Sequence, residues 1–125
     1  MTGPLLVVDD NSAFLKLALR FLGQHSGAGD VRDASDAREA LAIAEALRPR
    51  VVVVDLVMPG ISGLELISQL RALLPEARIV AFTSYVEDGY RRAAEAAGAH
   101  AFVAKEQLAL ELIPALRDEG SPGPA

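Results

Sequence analysis

The chain has 125 residues, enough for one domain, and its 51% hydrophobic and 23% charged residues describe a folded protein, not a disordered one. Twelve basic against seventeen acidic residues leave a net charge of −5, which argues against direct binding to nucleic acid or to an anionic membrane. Without cysteine, disulfide scaffolds, thiol catalysis and cysteine-based zinc sites are excluded, and no apolar run approaches the ~18 residues of a spanning helix.

The opening MTGPLLVVDD reaches aspartates before a signal-peptide core can form, so the expectation is a soluble, cytoplasmic domain. Residues 4–8 form the first short apolar run, read as a buried strand. Phe14, Leu17, Ala18, Phe21 and Leu22 then fall on one face of a helix. Residues 30–34 are more polar and suit a strand at a sheet edge. Asp36 followed by Glu39 resembles a capping box and opens a second helix through Ala40, Leu41, Ala44 and Leu47, stopped by Pro49. Residues 51–54 are four valines, a third strand. Ser62 and Glu65 fit the capping box and start a helix through Leu64, Ile67, Leu70 and Leu74, with Pro75 beyond it.

Residues 78–82 and 101–104 supply the fourth and fifth strands, separated by a helix over 88–97 that ends at Gly98. A fifth helix over 107–117 contains Pro114, which is expected to kink or shorten it. Within it Leu108, Leu112 and Leu116 form a core stripe, while Leu110 and Ile113 point elsewhere and mark an exposed surface for a second copy or an output partner. Residues 118–125, DEGSPGPA, read as a flexible tail or the start of a linker, so the domain is expected to span 1–117. Five βα units predict an α/β protein, doubly wound: a five-stranded parallel sheet with helices on both faces.

In such sheets ligands bind beyond the carboxyl ends of the strands. There the sequence places Asp9 and Asp10 after the first strand, Asp55 after the third, Thr83 and Ser84 after the fourth, and Lys105 after the fifth. Converging carboxylates repel, so the site either raises a pKa or recruits a cation. Mg2+ suits it: a hard ion that prefers oxygen and keeps positions open for water and phosphate. A carboxylate beside a metal and a lysine can attack phosphorus, because both cations neutralise the equatorial oxygens. The Thr83 hydroxyl could then bond the transferred group. Taken singly, an aspartate after a strand is most often a turn residue and a lysine most often a solvated charge. Their joint occurrence at four of five strand ends favours function.

These residues carry a family resemblance. From LLVVDD to AFVAKE, over about residues 4–117, the chain resembles a receiver domain of a two-component response regulator. The most specific stretch is VVVVDLVMPGISGLEL. The resemblance implies a flavodoxin-like strand order 2-1-3-4-5. It implies that Asp55 accepts the phosphoryl group from a sensor histidine kinase, with Mg2+ held directly by Asp10 and Asp55, through water by Asp9, and by the main-chain carbonyl of Val57. It further implies that Lys105 pairs with the phosphoryl group, that Thr83 bonds it on activation, and that Phe102 is the aromatic whose ring moves inward with Thr83. The face made by the fourth helix, fifth strand and fifth helix would then change, to control an output domain, a second copy or another protein. Such a chain assists its own modification but is a switch and not an enzyme.

Some positions depart from the family pattern. Glu106 stands where many receivers have proline, so a cis peptide after Lys105 is not expected. Together with EAAGAHAFVAKE, it resembles receivers whose regulators carry a C-terminal helix-turn-helix output domain that binds DNA. Ser84 leaves access to the phosphoryl site, Val57 offers no side chain to orient water, and Tyr85 stands where it could shade the site. Slow loss of the phosphoryl group is expected.

Other signals are weaker. His25, in an expected loop, and His100, at a strand start, suggest solvated or capping roles and no metal pair. No nucleotide-binding glycine loop is present, and a nucleophile elbow at Ser62 fails because Leu64 replaces its second glycine. Arg91 and Arg92 read as a solvated face. A Mg2+-dependent aspartyl phosphatase or phosphotransferase is the rival enzyme reading, and it lacks the second acid where Val57 stands. A constitutive interaction module with the same fold is the other rival, and the complete set of Asp9, Asp10, Asp55, Thr83 and Lys105 counts against it.

Overall fold

Valine-rich strands with unbroken apolar runs, such as residues 51–54, need cover on both faces, and both faces are covered. The structure is a computed structural model and describes residues 3–27, 29–58, 61–84 and 88–116, the side chain of Asp88 apart. In chain order it runs β1 (Leu5–Val8), α1 (Ser12–His25), β2 (Val31–Ala34), α2 (Ala37–Leu47), β3 (Val51–Asp55), α3 (Gly63–Leu73), β4 (Arg78–Thr83), α4 (Asp88–Ala97), β5 (Ala101–Ala104), a 3-10 turn (Lys105–Gln107) and α5 (Leu108–Leu116). All strand pairings are parallel and the order is β2-β1-β3-β4-β5, as expected.

Alternation along each strand divides the core in two. Leu6, Val8, Val52, Val54, Ile79 and Ala81 meet Ala40 and Ala44 of α2, Leu66, Ile67 and Leu70 of α3, and Ala94 of α4. Leu5, Val7, Val51, Val53, Val80, Phe82 and Val103 meet Leu15, Ala18 and Leu22 of α1 and Leu108, Leu112 and Leu116 of α5. Three helices therefore cover one face and two the other.

The helix starts follow the capping signals. Asp36 accepts from Glu39 N at 2.8 Å, and Ser62 accepts from Glu65 N at 3.2 Å. Glu39 Oε1 in turn accepts from Ser35 N, one residue before the cap, at 2.8 Å. Arg48, in the left-handed conformation at φ 52°, ends α2, and Gly98 at φ 121° follows α4.

Several expectations are corrected. In α1 the buried line is Leu15, Ala18 and Leu22, and Leu17 is 57% exposed. Leucines at 15, 17, 19 and 22 with phenylalanines at 14 and 21 make the apolar stripe too wide for its centre to be read from spacing. Leu17 lies about a third of a turn from the buried line. Leu66 is likewise a fully buried member of α3, which the stripe through Leu64 omitted. β3 and β4 each run one residue further than expected, so Asp55 and Thr83 are paired strand residues, opposite Phe82 and Ala104. Residues 105–107 form a 3-10 turn, α5 starts at Leu108, and the helix passes through Pro114 to Leu116. Ile113 packs against the core instead of standing exposed, while Leu110 is 75% exposed as expected.

His25 is not in a loop. It ends α1, its ring 4.7 Å from that of Phe21. His100 has the capping role: its N–H donates to Ile79 O at 2.7 Å and its Nδ1 accepts from Ile79 N at 3.0 Å. Among the described residues there is no cis peptide, and no helix is long and apolar enough to cross a membrane. Pro59, Gly60, Tyr85, Arg117 and the 118–125 tail lie outside the described residues.

Candidate functional site

The carboxyl ends of β1, β3, β4 and β5 meet in an open cleft of about 200 Å3, lined by Asp9, Asp10, Asn11, Asp55, Val57, Thr83, Ser84 and Lys105. The end of β1 contributes first. Asp9 N donates to Ala34 O at 3.1 Å, which holds the strand against β2 and turns the Asp9 side chain into the interior, fully buried. Asp10, the next residue, is exposed. Asn11 follows as the cap of α1: its own N–H donates to Asp9 Oδ1 at 3.0 Å and its side-chain oxygen accepts from Phe14 N at 3.0 Å.

Asp55 is the last residue of β3 and only 4% exposed. Its Oδ1 accepts from Val57 N at 3.2 Å. The turn that follows is packed so closely by α3 that a Cβ on Gly63 would lie 2.2 Å from Asp55 O and 2.5 Å from Leu56 Cα. Only glycine fits there. Thr83, last in β4, is fully buried, and Ser84 beside it is exposed.

Lys105 reaches into the cleft from the turn after β5. Its Nζ donates to Asp9 Oδ2 at 2.8 Å and to Asp55 Oδ2 at 3.3 Å. The same ammonium lies 4.5 Å from the centre of the Phe14 ring and 5.2 Å from that of Phe82. Buried carboxylates beside one cation set the electrostatics. Burial pushes the Asp55 pKa from 3.8 up to about 6, against the opposing pull of the Val57 N–H and the Lys105 charge, and the neighbouring Asp9 adds to the rise.

Asp9, Asp10 and Asp55 can each offer a carboxylate oxygen such that all three lie within 4.8 Å of one another. All the donors are hard oxygens, two of the carboxylates sit at strand ends with fixed backbones, and Asp10 faces solvent. That set fits a small divalent cation with room for water, which is the character of a Mg2+ site.

Of the expected site residues, Asp9, Asp10, Asp55, Val57, Thr83 and Lys105 share this cleft. Phe102 does not. It is 9% exposed in the α2-α3-α4 core, paired with Ala81, and the Arg91 guanidinium carbon lies 4.9 Å from its ring centre. Arg91 is therefore more than a solvated charge. Asn11, Phe14, Phe82 and Gly63 were missing from the sequence-based site. The Asp-Asp-Asn-x-x-Phe run held a signal for the first two, since an N-cap at 11 fixes the residue at 14 beside the strand end.

The response regulator receiver domain family model matches residues 5–117. The chain is 35% identical to the transcriptional activator protein ExaE of Pseudomonas putida over 113 residues, covering 90% of this chain and 53% of that protein. It is 32% identical to the DNA-binding transcriptional activator DevR/DosR of Mycobacterium tuberculosis, covering 94% of this chain and 54% of that protein. The chain thus spans about half the length of the curated relatives it matches. Among solved structures, it superposes with a TM-score of 0.86 and 34% identity on a response regulator from Burkholderia pseudomallei that carries a phosphorylated aspartic acid, a calcium ion and citrate, covering 95% of this chain and 69% of that one. It also matches the receiver domain of the putative response regulator NarL from Mycobacterium tuberculosis, with a TM-score of 0.85 and 26% identity over 97% of this chain and 98% of that one. By family match and strand order, the chain belongs to the response regulator receiver domains.

Proposed function

We propose that this domain is a phosphorylation-operated switch whose phosphoacceptor is Asp55. The observation that carries the reading is the single ammonium of Lys105 bonded to both Asp9 and Asp55 at the mouth of an open, acidic cleft. A phosphohistidine of a sensor histidine kinase is the donor. A carboxylate oxygen of Asp55 attacks phosphorus, the new P–O bond forms as the P–N bond breaks, and the imidazole leaves with its electron pair.

Asp10, Asp55 and the Val57 carbonyl would hold Mg2+, with Asp9 acting through water; when bound, the ion neutralises charge on the phosphoryl oxygens. Lys105 offers its remaining donor capacity to the same oxygens as they approach Asp55. Thr83, at the end of the neighbouring strand, bonds the acyl phosphate once it has formed. The Phe102 ring, expected to move inward, already lies buried in the α2-α3-α4 core, so it would answer Thr83 by repacking there as the α4-β5-α5 face changes shape. That face would control an output domain or partner. This chain covers only about half of the matched relatives, which are transcriptional activators, one of them named as DNA-binding, and this supports a DNA-binding output domain in the full-length protein. The setting is the cytoplasm, and the domain acts stoichiometrically and not by turnover.

Intact-mass spectrometry after incubation with acetyl phosphate tests the reading. One phosphoryl group should add in the presence of Mg2+ and none after chelation. A folded, Mg2+-binding protein that takes no phosphoryl group from acetyl phosphate or from a phosphohistidine donor would support a constitutive interaction module instead.

A further inference from the structure

We infer that Phe14 is a positioning residue for Lys105, its ring holding the ammonium at the two carboxylates. The inference rests on the reading of Lys105 as the cation that meets the phosphoryl group. A lysine carries four rotatable bonds, and ordering it costs side-chain entropy that its partners must offset. Asp9 and Asp55 supply two hydrogen bonds. Two rings also meet the ammonium, Phe14 at 4.5 Å and Phe82 at 5.2 Å from Nζ. Both distances lie within the range of attraction between a cation and an aromatic face.

The two rings have different reasons to be there. Phe82 is fully buried in β4 and fills the core. Phe14 is half-buried and packs at the edge of that core, beside the buried line of Leu15, Ala18 and Leu22, where its ring is also free to meet the ammonium. Its ring lies 5.4 Å from Phe82, tilted by 31°, and completes the shelf beneath Nζ. A circuit of contacts fixes it. Asp9 Oδ2 accepts from Lys105, Asp9 Oδ1 accepts from Asn11 N, Asn11 Oδ1 accepts from Phe14 N, and the Phe14 ring returns to Lys105. An aliphatic side chain would fill the same volume without favouring a cation, and Lys105 would then sample rotamers that leave the cleft.

The test separates shape from ring electrostatics. Pentafluorophenylalanine, incorporated site-specifically at position 14, keeps the shape and reverses the charge character of the ring face; Phe14→Leu removes the ring and Phe14→Tyr restores it. Two readouts are taken in the full chain with Mg2+: the initial rate of phosphorylation by acetyl phosphate, and the separation of the two Cε-proton signals of Lys105 in 13C-edited spectra. Wild type and Phe14→Tyr should share one rate and keep the Lys105 protons distinct. The fluorinated and leucine variants should lose about three- to tenfold in rate, with those protons merging as the side chain averages its rotamers. A fluorinated variant with the wild-type rate overturns the inference. So does a rate loss with the Lys105 signals unchanged, because the ring then acts elsewhere. If wild type itself takes no phosphoryl group, the phosphorylation reading has failed, and the Lys105 signals alone decide the positioning role.

Discussion

The Lys105 ammonium is bonded more closely to Asp9, at 2.8 Å, than to Asp55, at 3.3 Å. Asp9 is the carboxylate with no solvent exposure, and both its oxygens are engaged, one by Lys105 and one by Asn11 N. Asp55 also has both oxygens engaged, but at longer range, by Lys105 at 3.3 Å and by Val57 N at 3.2 Å, and burial raises its pKa to about 6. A nucleophile that is buried, bonded and still open to the cleft on one side follows from that division.

The raised pKa has a stability consequence in the absence of metal. Between about pH 4 and 6 the folded state holds a proton on Asp55 that the unfolded chain has released, so stability falls as pH rises through this window. Urea titrations of wild type and Asp55→Asn should diverge by about 2 kcal/mol between pH 4.5 and 7, with the variant more stable at the higher pH. Parallel curves would contradict the shift. Mg2+ binds the ionised carboxylate, so its affinity should weaken as pH drops below about 6.

Removing the cation should be costly for a related reason. Lys105→Met leaves Asp9 and Asp55 buried together without their common partner, at about 3 kcal/mol of stability at pH 7. The loss should shrink at pH 5, where Asp55 holds its proton, and the rate of phosphorylation should fall at both pH values. Chemical denaturation at the two pH values distinguishes this from simple loss of packing, which would be insensitive to pH.

Gly63→Ala probes the turn behind the nucleophile. A methyl group there would press on the backbone of Asp55 and Leu56, which are strand-end atoms and cannot swing aside. A loss of about 3 kcal/mol or more in thermal or urea unfolding is expected, with weaker Mg2+ binding in whatever folds.

His100 should matter for folding and not for phosphorylation. Its Nδ1 is the acceptor for Ile79 N. His100→Ala should cost about 1–2 kcal/mol, and His100→Asn, which places an oxygen near the position of Nδ1, should recover much of it. Equal losses in both variants would show that the ring contributes through something other than this bond.

Val57 is 43% exposed at the rim of the cleft and carries no polar side chain. Val57→Gln should shorten the lifetime of the acyl phosphate several-fold by orienting water toward phosphorus, measured as decay of the phosphorylated mass after the donor is removed. An unchanged lifetime would remove Val57 as the reason for slow loss.

Much of this was legible before any coordinates. Strands buried on both faces leave unbroken apolar runs, so residues 51–54 and 78–82 declare themselves, and the polar residue ending each run is then placed at one edge by topology alone. Asp9, Asp10, Asp55, Thr83 and Lys105 were found that way. The phase of α1 was not legible, because leucines and phenylalanines surround most of its circumference and only packing against Val7 and Phe82 selects Leu15 over Leu17. Phe14 was read as core for the same reason: nothing in apolar periodicity distinguishes a ring that faces the sheet from one that faces an ammonium. The reason for Gly63 was hidden too, since it lies in the approach of α3 to Asp55 and not in the glycine's own dihedral angles.

The most direct test is to locate the phosphoryl group. The protein is phosphorylated with acetyl phosphate and Mg2+, reduced with borohydride, which converts an acyl phosphate on aspartate to homoserine, digested and sequenced by mass spectrometry. Homoserine at Asp55 alone, and none in Asp55→Asn, is the predicted result. Homoserine at Asp9 or Asp10 in the wild-type protein, or none at any aspartate despite a bound phosphoryl group, would contradict the account.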